Sequence, residues 1–415
     1  MKRPGRLATN TLLGTFWQGF RVVGQAVWVV LLARSVSADG YGQLAGLAGL
    51  ATSLGGLAGL GVSLLLVKRV SVRPELFSVY WHLAVRATVF TGVALMVFFT
   101  SLAPAIAHVS AAWPIVVALG FSELICLPLI NVASLSFQAH EHLGWSSLVS
   151  ALSSIGRVAA AVFFMLFSDR HTLDSYAIFH IAGSTCAVIL AYMFAARKLA
   201  PSRAVWKWNG TDVREGLMFS GLWFTSNATV ELDKVLALRF AGAEVTGVYS
   251  ASYRVATVAS LPIAALLLAM QPRMFRAHAT GDDTARLIRL ALAAIIGYSV
   301  VGIILLQIAS PLIPRILGES FHHAADASRM LAWMMPFYGV RMLGTSILTA
   351  RGHQGARAFT ECTGLLVMFV AAAWLEPRWG LEGAVATVIM TECVLAALSW
   401  TLVRRFSVDT TRPAS

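Results

Sequence analysis

Long apolar runs, separated by short polar segments, make up most of the chain. Each run contains about 20 or more mostly apolar residues, the length that an α-helix needs to cross the hydrocarbon core of a bilayer. Six runs precede a polar segment at 197–214, and six follow it. The pattern therefore predicts an all-α membrane protein with about twelve transmembrane helices. The predicted spans are 8–33, 42–67, 79–102, 113–138, 146–168, 174–196, 216–241, 245–271, 288–313, 327–350, 356–375 and 381–403.

The composition supports this interpretation. Of 415 residues, 57% are hydrophobic and 13% are charged, whereas soluble domains contain about 45–50% apolar and about 25% charged residues. The formal net charge of +12 does not indicate nucleic-acid binding, because the Lys and Arg residues are spread over short loops and form no basic domain. We therefore expect a bilayer, and no nucleic acid, as the partner of this surface.

The distribution of basic residues predicts the orientation. If both termini lie in the cytoplasm, the cytoplasmic segments with the adjoining helix ends contain 20 Lys and Arg residues, and the outer loops with their adjoining helix ends contain 5. Cytoplasmic loops of membrane proteins carry such an excess of Lys and Arg. We therefore expect a multi-pass protein with both termini in the cytoplasm.

A weak internal repeat relates the two halves. Shifting the sequence by 205 residues aligns Arg34 with Arg239 and Asp39 with Glu244, and both copies show the pattern R-x3-A-[D/E]-x2-G. The alternative is a chance alignment of two Ala- and Gly-rich helices. A repeat of six spans enters the membrane in the same direction twice, which is typical of transporters that bind substrate between parallel repeats. The predicted domains are an N-terminal six-helix lobe at 1–196, a cytoplasmic linker at 197–214 and a C-terminal six-helix lobe at 215–415.

Four arginines lie near the middle of apolar runs. A charge at the centre of a span costs at least ~2.5–3.5 kcal/mol, so it requires a partner, a water-filled cavity or a function. In the first span, Arg21 shares one helical face with two glutamines, because the three residues recur at steps of 3 and 4. The candidate cavity residues are Arg21, Arg157, Arg254, Arg341, Gln18 and Gln25.

These arginines come from both halves of the chain, and two interpretations are open. In the first, they line a shared aqueous cavity that binds an anionic headgroup. In the second, they belong to a structural network of ion pairs.

Acidic residues inside the spans are candidates for coupling or for ion pairs. Glu231 and Lys234 are three residues apart on the seventh span, which favours a pair, and Asp233 would then meet an arginine across the cavity. Glu392 lies almost at the centre of the last span, where it is either a proton-coupling carboxylate or a satisfied buried one. Glu123 is the acidic residue within the spans of the first half.

No pattern of catalytic or metal-binding residues is found. The sequence has no nucleophile elbow, P-loop or acidic cluster typical of glycosyltransferases, and its histidines show no spacing typical of a metal site. We therefore predict no enzyme activity, no catalytic residues, no metal and no cofactor.

Several short motifs resemble bacterial polysaccharide-unit flippases, a family of the multidrug/oligosaccharidyl-lipid/polysaccharide exporter superfamily. The resemblance rests on the first outer turn, its counterpart in the second half and two later landmarks, and it extends over essentially the whole chain. The first turn departs from the family pattern, since Ser35-Val36-Ser37 stands where Leu-Gly-Pro is common. The motifs lie at residues 31–42, 233–254, 317–321 and 350–352.

This resemblance implies a V-shaped bundle of two lobes in the bacterial cytoplasmic (inner) membrane. It implies alternating access that moves undecaprenyl-pyrophosphate-linked oligosaccharide units to the outer leaflet, for surface polysaccharides such as lipopolysaccharide O-antigen or exopolysaccharide. Relatives place cavity arginines on the first and eighth helices, which Arg21 and Arg254 match. The implied partners are the lipid-linked oligosaccharide, a polysaccharide polymerase and a chain-length regulator.

Two other functions remain open on the sequence. A cation-coupled drug or metabolite antiporter of the same superfamily requires carboxylates, but the first-half spans offer Glu123 against Arg21, Arg86 and Arg157. The other open function is an assembly scaffold that transports nothing. We favour the flippase, because the diphosphate of its substrate is anionic and guanidinium groups bind phosphate oxygens through paired donors.

Overall fold

The computed structural model describes residues 6–107, 113–202, 204, 210–280 and 285–408. Helices contain nearly all of these residues, and no strand occurs among them, which confirms the all-α prediction. The helices are α1 (Arg6–Gly55), α2 (Val62–Val70), α3 (Phe77–Ala107), α4 (Trp113–Phe121), α5 (Leu127–Ala139), α6 (Leu143–Phe167), α7 (Leu173–Leu199), α8 (Gly210–Phe240), α9 (Ala243–Thr280), α10 (Ala285–Ala309), α11 (Leu312–Leu317), α12 (Ala324–Leu331), α13 (Met334–Ala350) and α14 (Gln354–Val408). Short 3₁₀ segments lie at Ala58–Gly61, Pro74–Leu76 and Glu319–Phe321, and a π-helical turn at Ser122–Cys126 joins α4 to α5.

Eight helices in the described part of the chain are long and apolar enough to cross a membrane. Two of them, Leu13–Gly55 and Gln354–Phe406, contain 43 and 53 residues. Since a span needs about 20 residues, each is long enough to cross twice. A break in helical geometry at Ser37 divides the first, and one at Gly380 divides the second. The protein is therefore a multi-pass membrane protein, and the count of twelve spans stays a prediction.

The chain divides into two compact units, Met1–Glu231 and Leu232–Ser415. In the first unit, α1 packs along α6, and α5 and α7 pack against α6 as well. The largest core of this unit is built from apolar side chains of α2, α3, α5, α6 and α7, with Leu65, Trp81 and Phe137 at most 5% exposed. Burial of these side chains fixes the positions of the polar residues carried by the same helices.

An irregular turn joins α1 to α2 and lets α8 approach closely. Gly59, Leu60 and Gly61 all have positive φ angles, of 75°, 49° and 69°. A methyl group on Gly61 would overlap the carbonyl oxygen of Gly216 in α8, and one on Gly216 would lie 2.5 Å from the carbonyl oxygen of Leu60. Ser220 also donates a hydrogen bond to the carbonyl oxygen of Gly56, at 3.1 Å. The first half of α8 thus belongs to the first unit by direct backbone contact.

Ion pairs hold the beginning of α8 to the end of α2. Lys68 binds Glu215, and Arg69 Nη2 lies 2.8 Å from an oxygen of Asp212 and 3.2 Å from one of Glu215. The hydrogen bond from Arg69 to Asp212 raises the pKa of the guanidinium. These pairs are partly exposed, so we expect each to stabilise the contact only modestly.

In the second unit, α9, α10, α13 and the end of α14 share one core. Ile263, Ile295 and Leu343 are at most 1% exposed in it. A second cluster joins α9 to α12, α13 and α14 through side chains that include Tyr249 and Leu331. α9 and α13 therefore take part in both clusters.

The backbone supports the internal repeat at one position. A shift of 205 residues places Ser37, in the kink of α1, on Gly242, in the turn from α8 to α9. Ser37 has a φ of 62° and Gly242 a φ of 92°. Both copies of the repeated motif thus contain a residue with positive φ at the same position.

Candidate functional site

The first part of α1 exposes the polar face that its sequence predicts. Gln18, Arg21 and Gln25 are all exposed, and among the described residues Arg21 has no carboxylate within ion-pair distance. The apolar residues Phe16, Phe20 and Val23 of this segment are exposed as well. Because a charge facing lipid at mid-span is costly, we expect the face with Arg21, and not the apolar face, to contact water. The structure thus places Gln18, Arg21 and Gln25 together.

Arg157, in contrast, is held inside the first unit. Its Nη2 lies 2.5 Å from Oε1 of Glu123, and its guanidinium lies 5.6 Å from the ring centroid of Trp28. Thr52 Oγ1 lies 3.4 Å from the other carboxylate oxygen. The side chain of Glu123 is 2% exposed and that of Arg157 is 24% exposed. For this arginine, the structure therefore shows the ion pair that the sequence left as an alternative.

A chain of hydrogen bonds leads from Trp28 to the Arg157 pair. The indole Nε1 of Trp28 donates to Tyr176 OH at 2.8 Å, and Tyr176 OH lies 3.1 Å from Nδ1 of His180. His180 Nε2 lies 2.8 Å from Ser122 Oγ, which lies 3.5 Å from Glu123 Oε1. Tyr176 OH accepts a hydrogen bond from Trp28, so the Tyr176 hydroxyl proton is directed at His180 Nδ1. A neutral His180 then carries its proton on Nε2 and donates it to Ser122 Oγ. Each of these four side chains, Trp28, Tyr176, His180 and Ser122, then has a hydrogen-bond partner.

The serine stripe that precedes Arg157 on α6 faces another helix. Ser146 and Ser150 lie 3.0 Å and 2.8 Å from the hydroxyl of Ser134 in α5. Hydroxyl contacts of this kind join helices within membranes. The polar periodicity of α6 is therefore explained by packing against α5.

Arg341 is also paired, in the second unit. Its Nε lies 2.6 Å from Oε2 of Glu392, and its Nη2 lies 3.1 Å from Oε1. Its guanidinium also lies 5.4 Å from the ring centroid of Tyr338. The two side chains are about one tenth exposed. Glu392, the predicted coupling candidate, is thus a carboxylate bound in bidentate fashion by Arg341.

A second charged cluster of this unit lies on α8 and α9. Lys234 Nζ lies 3.0 Å from Asp233 Oδ1, and Tyr249 OH donates to Asp233 Oδ2 at 2.6 Å. Lys234 Nζ also lies 4.8 Å from the ring centroid of Tyr253. The structure thus pairs Asp233 with Lys234, because side chains of adjacent residues can still meet at their tips. The neighbouring Arg254 is half-buried.

Sequence reasoning missed the buried carboxylate of Glu376. It lies between two predicted spans, in a segment with Pro377 and Gly380 that is typical of a loop. The structure instead continues α14 through this segment and breaks it only at Gly380. Glu376 is 2% exposed, and its Oε2 has no hydrogen-bond partner among the described residues.

No candidate metal site occurs in the described part of the chain, where no three His, Cys, Asp or Glu residues form a group. Cys126 is buried and Cys186, Cys362 and Cys393 are exposed, all as free thiols.

The sequence profile of a family described as polysaccharide biosynthesis protein matches residues 7–278, more than half of the chain. The chain belongs to this family. The resemblance found in the turn motifs is thereby confirmed, while no protein of curated function matches the sequence.

The fold of this family member is that of transporters of the MOP superfamily. An inward-facing multidrug resistance transporter of the MATE family matches with a TM-score of 0.76 at 13% identity, over 94% of this chain and 96% of that one. The lipid II flippase MurJ, in an inward closed conformation, matches with a TM-score of 0.75 at 11% identity, over 95% and 87%. A MOP-superfamily transporter from Pyrococcus furiosus, described as having a binding pocket of reversed polarity, matches with a TM-score of 0.61 at 16% identity, over 98% and 96%.

Proposed function

We propose that this protein is a flippase that moves undecaprenyl-pyrophosphate-linked oligosaccharide units across the bacterial cytoplasmic membrane by alternating access. The transported units would supply a surface polysaccharide, such as an O-antigen or an exopolysaccharide. The excess of Lys and Arg in one set of loops supports an orientation with both termini in the cytoplasm. A polysaccharide polymerase and a chain-length regulator would act on the product.

The observation that carries the proposal is the match to a polysaccharide biosynthesis family in a chain with a transporter fold. Fold similarity alone does not decide the function, because the MATE transporter and the MurJ flippase match equally well. The family description favours a substrate that belongs to polysaccharide assembly.

The exposed face of α1 supports an anionic substrate. Arg21 would donate paired hydrogen bonds to diphosphate oxygens, with Gln18 and Gln25 beside it on the same face. Arg254 on α9 is the proposed anion-binding residue of the second unit. We assign Arg157 and Arg341 to structural ion pairs instead, since Glu123 and Glu392 already occupy their donors.

The test replaces the proposed anion-binding residues in the organism that carries the protein. Arg21→Ala and Arg254→Ala should each lower surface polysaccharide at least about tenfold, as expected from the loss of a charge-assisted phosphate contact. Lipid-linked units should accumulate in the membrane fraction, where mass spectrometry detects them. Immunoblots of the membrane fraction establish that protein levels are unchanged.

Arg73→Ala is the matched control, because Arg73 is an exposed arginine outside the helices of the first unit. It should leave both readouts at the wild-type level. Wild-type amounts of polysaccharide in both test variants would remove the anion site from the proposal.

The antiporter is the second candidate, because the fold matches a MATE transporter as well as it matches the MurJ flippase. An antiporter would change the susceptibility of an efflux-deficient host to cationic drugs. We expect no such change, and a rise in resistance that depends on the protein would support the antiporter instead.

A further inference from the structure

A polar cavity of about 180 Å³ lies within the second unit, where α9, α13 and the beginning of α14 meet. This volume is below the ~300–1,000 Å³ of pockets that hold drug-sized ligands, so it suits one sugar ring and not an oligosaccharide. None of its lining residues belongs to the proposed anion site. The polar part of its wall consists of Gln271, Thr345, Ser346, Thr349, Arg357 and Glu361.

The three hydroxyl groups face the cavity as acceptors. Thr345 donates to the carbonyl oxygens of Arg341 and Met342, Ser346 donates to that of Met342, and Thr349 donates to that of Thr345. Since a hydroxyl has one proton and two lone pairs, each can then only accept a hydrogen bond from a ligand. The Glu361 carboxylate is a further acceptor, without an ion pair among the described residues.

The cavity wall also contains hydrogen-bond donors. Arg357 contributes a guanidinium, of which one nitrogen lies 3.4 Å from Thr349 Oγ1, and Gln271 contributes an amide. Leu267, Leu268 and Met342 supply an apolar wall. The cavity therefore presents acceptors, donors and an apolar surface to one small ligand.

A sugar ring has the chemistry that this wall requires. Each of its hydroxyls both donates and accepts, and its C–H groups can pack on an apolar surface. A phosphate group is a poor match, because it only accepts hydrogen bonds and would meet the lone pairs of three hydroxyls and a carboxylate. A simple organic cation is also a poor match, because the Arg357 and Gln271 donors would lack acceptors.

We propose that this cavity binds a sugar residue of the lipid-linked substrate, a hexose or an N-acetylhexosamine. The proposal rests on the proposed flippase function and extends it, since it separates recognition of the sugar from recognition of the diphosphate. The cavity would let the protein distinguish a glycosylated carrier from the bare lipid diphosphate.

The test measures binding of two carriers to the full-length protein in lipid nanodiscs. The probes are undecaprenyl diphosphate and undecaprenyl diphosphate bearing one glucose, galactose or N-acetylglucosamine. The wild-type protein should bind at least one glycosylated carrier about tenfold more tightly than the bare carrier, the gain expected from one or two net hydrogen bonds.

Two variants remove acceptors from the cavity, Ser346→Ala and Glu361→Gln. Each should reduce the tenfold preference to about twofold and leave the affinity for the bare carrier unchanged. Thr363→Ala is the matched control, because Thr363 lies on α14 outside the cavity and donates to the Phe359 carbonyl oxygen in the same way. It should retain the full preference.

The outcomes separate the two proposals. Equal affinities for all carriers in the wild type, or a tenfold preference that survives in both cavity variants, would overturn the sugar site and leave the flippase proposal intact. If the wild type binds neither kind of carrier, the flippase proposal fails, and the sugar site fails with it. Should Glu361→Gln unfold in a thermal scan, Ser346→Ala alone decides, since it removes one hydroxyl.

Discussion

The guanidinium of Arg157 binds the carboxylate of Glu123, with Nη2 2.5 Å from Oε1. The two residues differ strongly in exposure, since Glu123 is 2% exposed and Arg157 is 24% exposed. If the pair is broken, an unpaired Arg157 can still turn toward water, whereas an unpaired Glu123 cannot. The cost of losing one partner must therefore depend on which partner is lost.

We predict that Arg157→Met destabilises the protein by about 3–5 kcal/mol, because it leaves a buried carboxylate without its counter-charge. Glu123→Gln should cost less, about 1–2 kcal/mol. The double variant should recover most of the loss. Unfolding in detergent, followed by circular dichroism as a double-mutant cycle, measures the coupling. Equal and additive losses would contradict this account of the pair.

The positive φ angles at Ser37 and Gly242 predict opposite effects on stability when glycine is introduced at one position and removed at the other. Ser37 is exposed and has a φ of 62° and a ψ of 174°, a conformation that is essentially restricted to glycine and costs other residues about 1–3 kcal/mol. Ser37→Gly should therefore raise the unfolding temperature. Gly242 has a φ of 92°, so Gly242→Ala should lower the stability by about 1–2 kcal/mol.

Ser35→Gly serves as the control for the turn substitutions. Ser35 lies in the same helix two residues before the kink, and its hydroxyl donates to the Leu31 carbonyl oxygen. Glycine within a helix is destabilising by about 0.5–1 kcal/mol. We expect Ser35→Gly to lower the stability. If Ser37→Gly lowered it too, the backbone strain assigned to Ser37 would be absent.

The contact of α8 with the turn before α2 predicts that alanine substitutions at two glycines of α8 change the stability of the protein in opposite directions. A methyl group at Gly216 would lie 2.5 Å from the Leu60 carbonyl oxygen, whereas a methyl group at Gly221 meets nothing within 4 Å. Gly216→Ala should destabilise the protein by about 1–3 kcal/mol, because backbone has to move. Gly221→Ala should stabilise it by up to about 1 kcal/mol, since alanine favours a helix. Thermal unfolding of both variants checks this, and a neutral Gly216→Ala would show that α8 and the turn are farther apart.

The bidentate pair of Arg341 predicts that lysine cannot replace it. Arg341→Lys keeps the charge but cannot make both hydrogen bonds to Glu392, so we expect a loss of about 1–3 kcal/mol. Arg329→Lys is the control, because Arg329 makes an exposed pair with Asp326 and donates one hydrogen bond from Nε to Ser310 Oγ, so its loss should be at most about 1 kcal/mol. Guanidinium chloride titration in detergent compares the two, and equal losses would argue against the special geometry of Arg341.

The fold could be predicted from the sequence because the bilayer sets the length of every span. The apolar runs located the long helices, and the aligned motifs located the breaks in helical geometry at Ser37 and Gly242. The ends of the helices were less predictable. Pro377 and Gly380 suggested a loop, yet α14 continues to a single break, and this error concealed Glu376.

The candidate site was predictable only in part. The steps of 3 and 4 in α1 place Gln18, Arg21 and Gln25 on one helical face, because a regular helix fixes which residues share a face, and their role in binding stays a prediction. The pairing of Arg157 with Glu123 was not visible, since the partners are 34 residues apart and lie on different helices. Which helices meet depends on packing that no local pattern encodes.

The π-helical turn at Ser122–Cys126 carries one residue more than an α-helical turn would. That additional residue rotates everything after it by about 100° around the helix axis. Deleting one residue here would restore an unbroken α-helix, but it would swing Ser134 away from Ser146 and Ser150 while Glu123 stayed beside Arg157. The number of residues in this turn, and not only their identity, is what allows Glu123 in the turn and Ser134 in α5 to make their contacts with α6 at once.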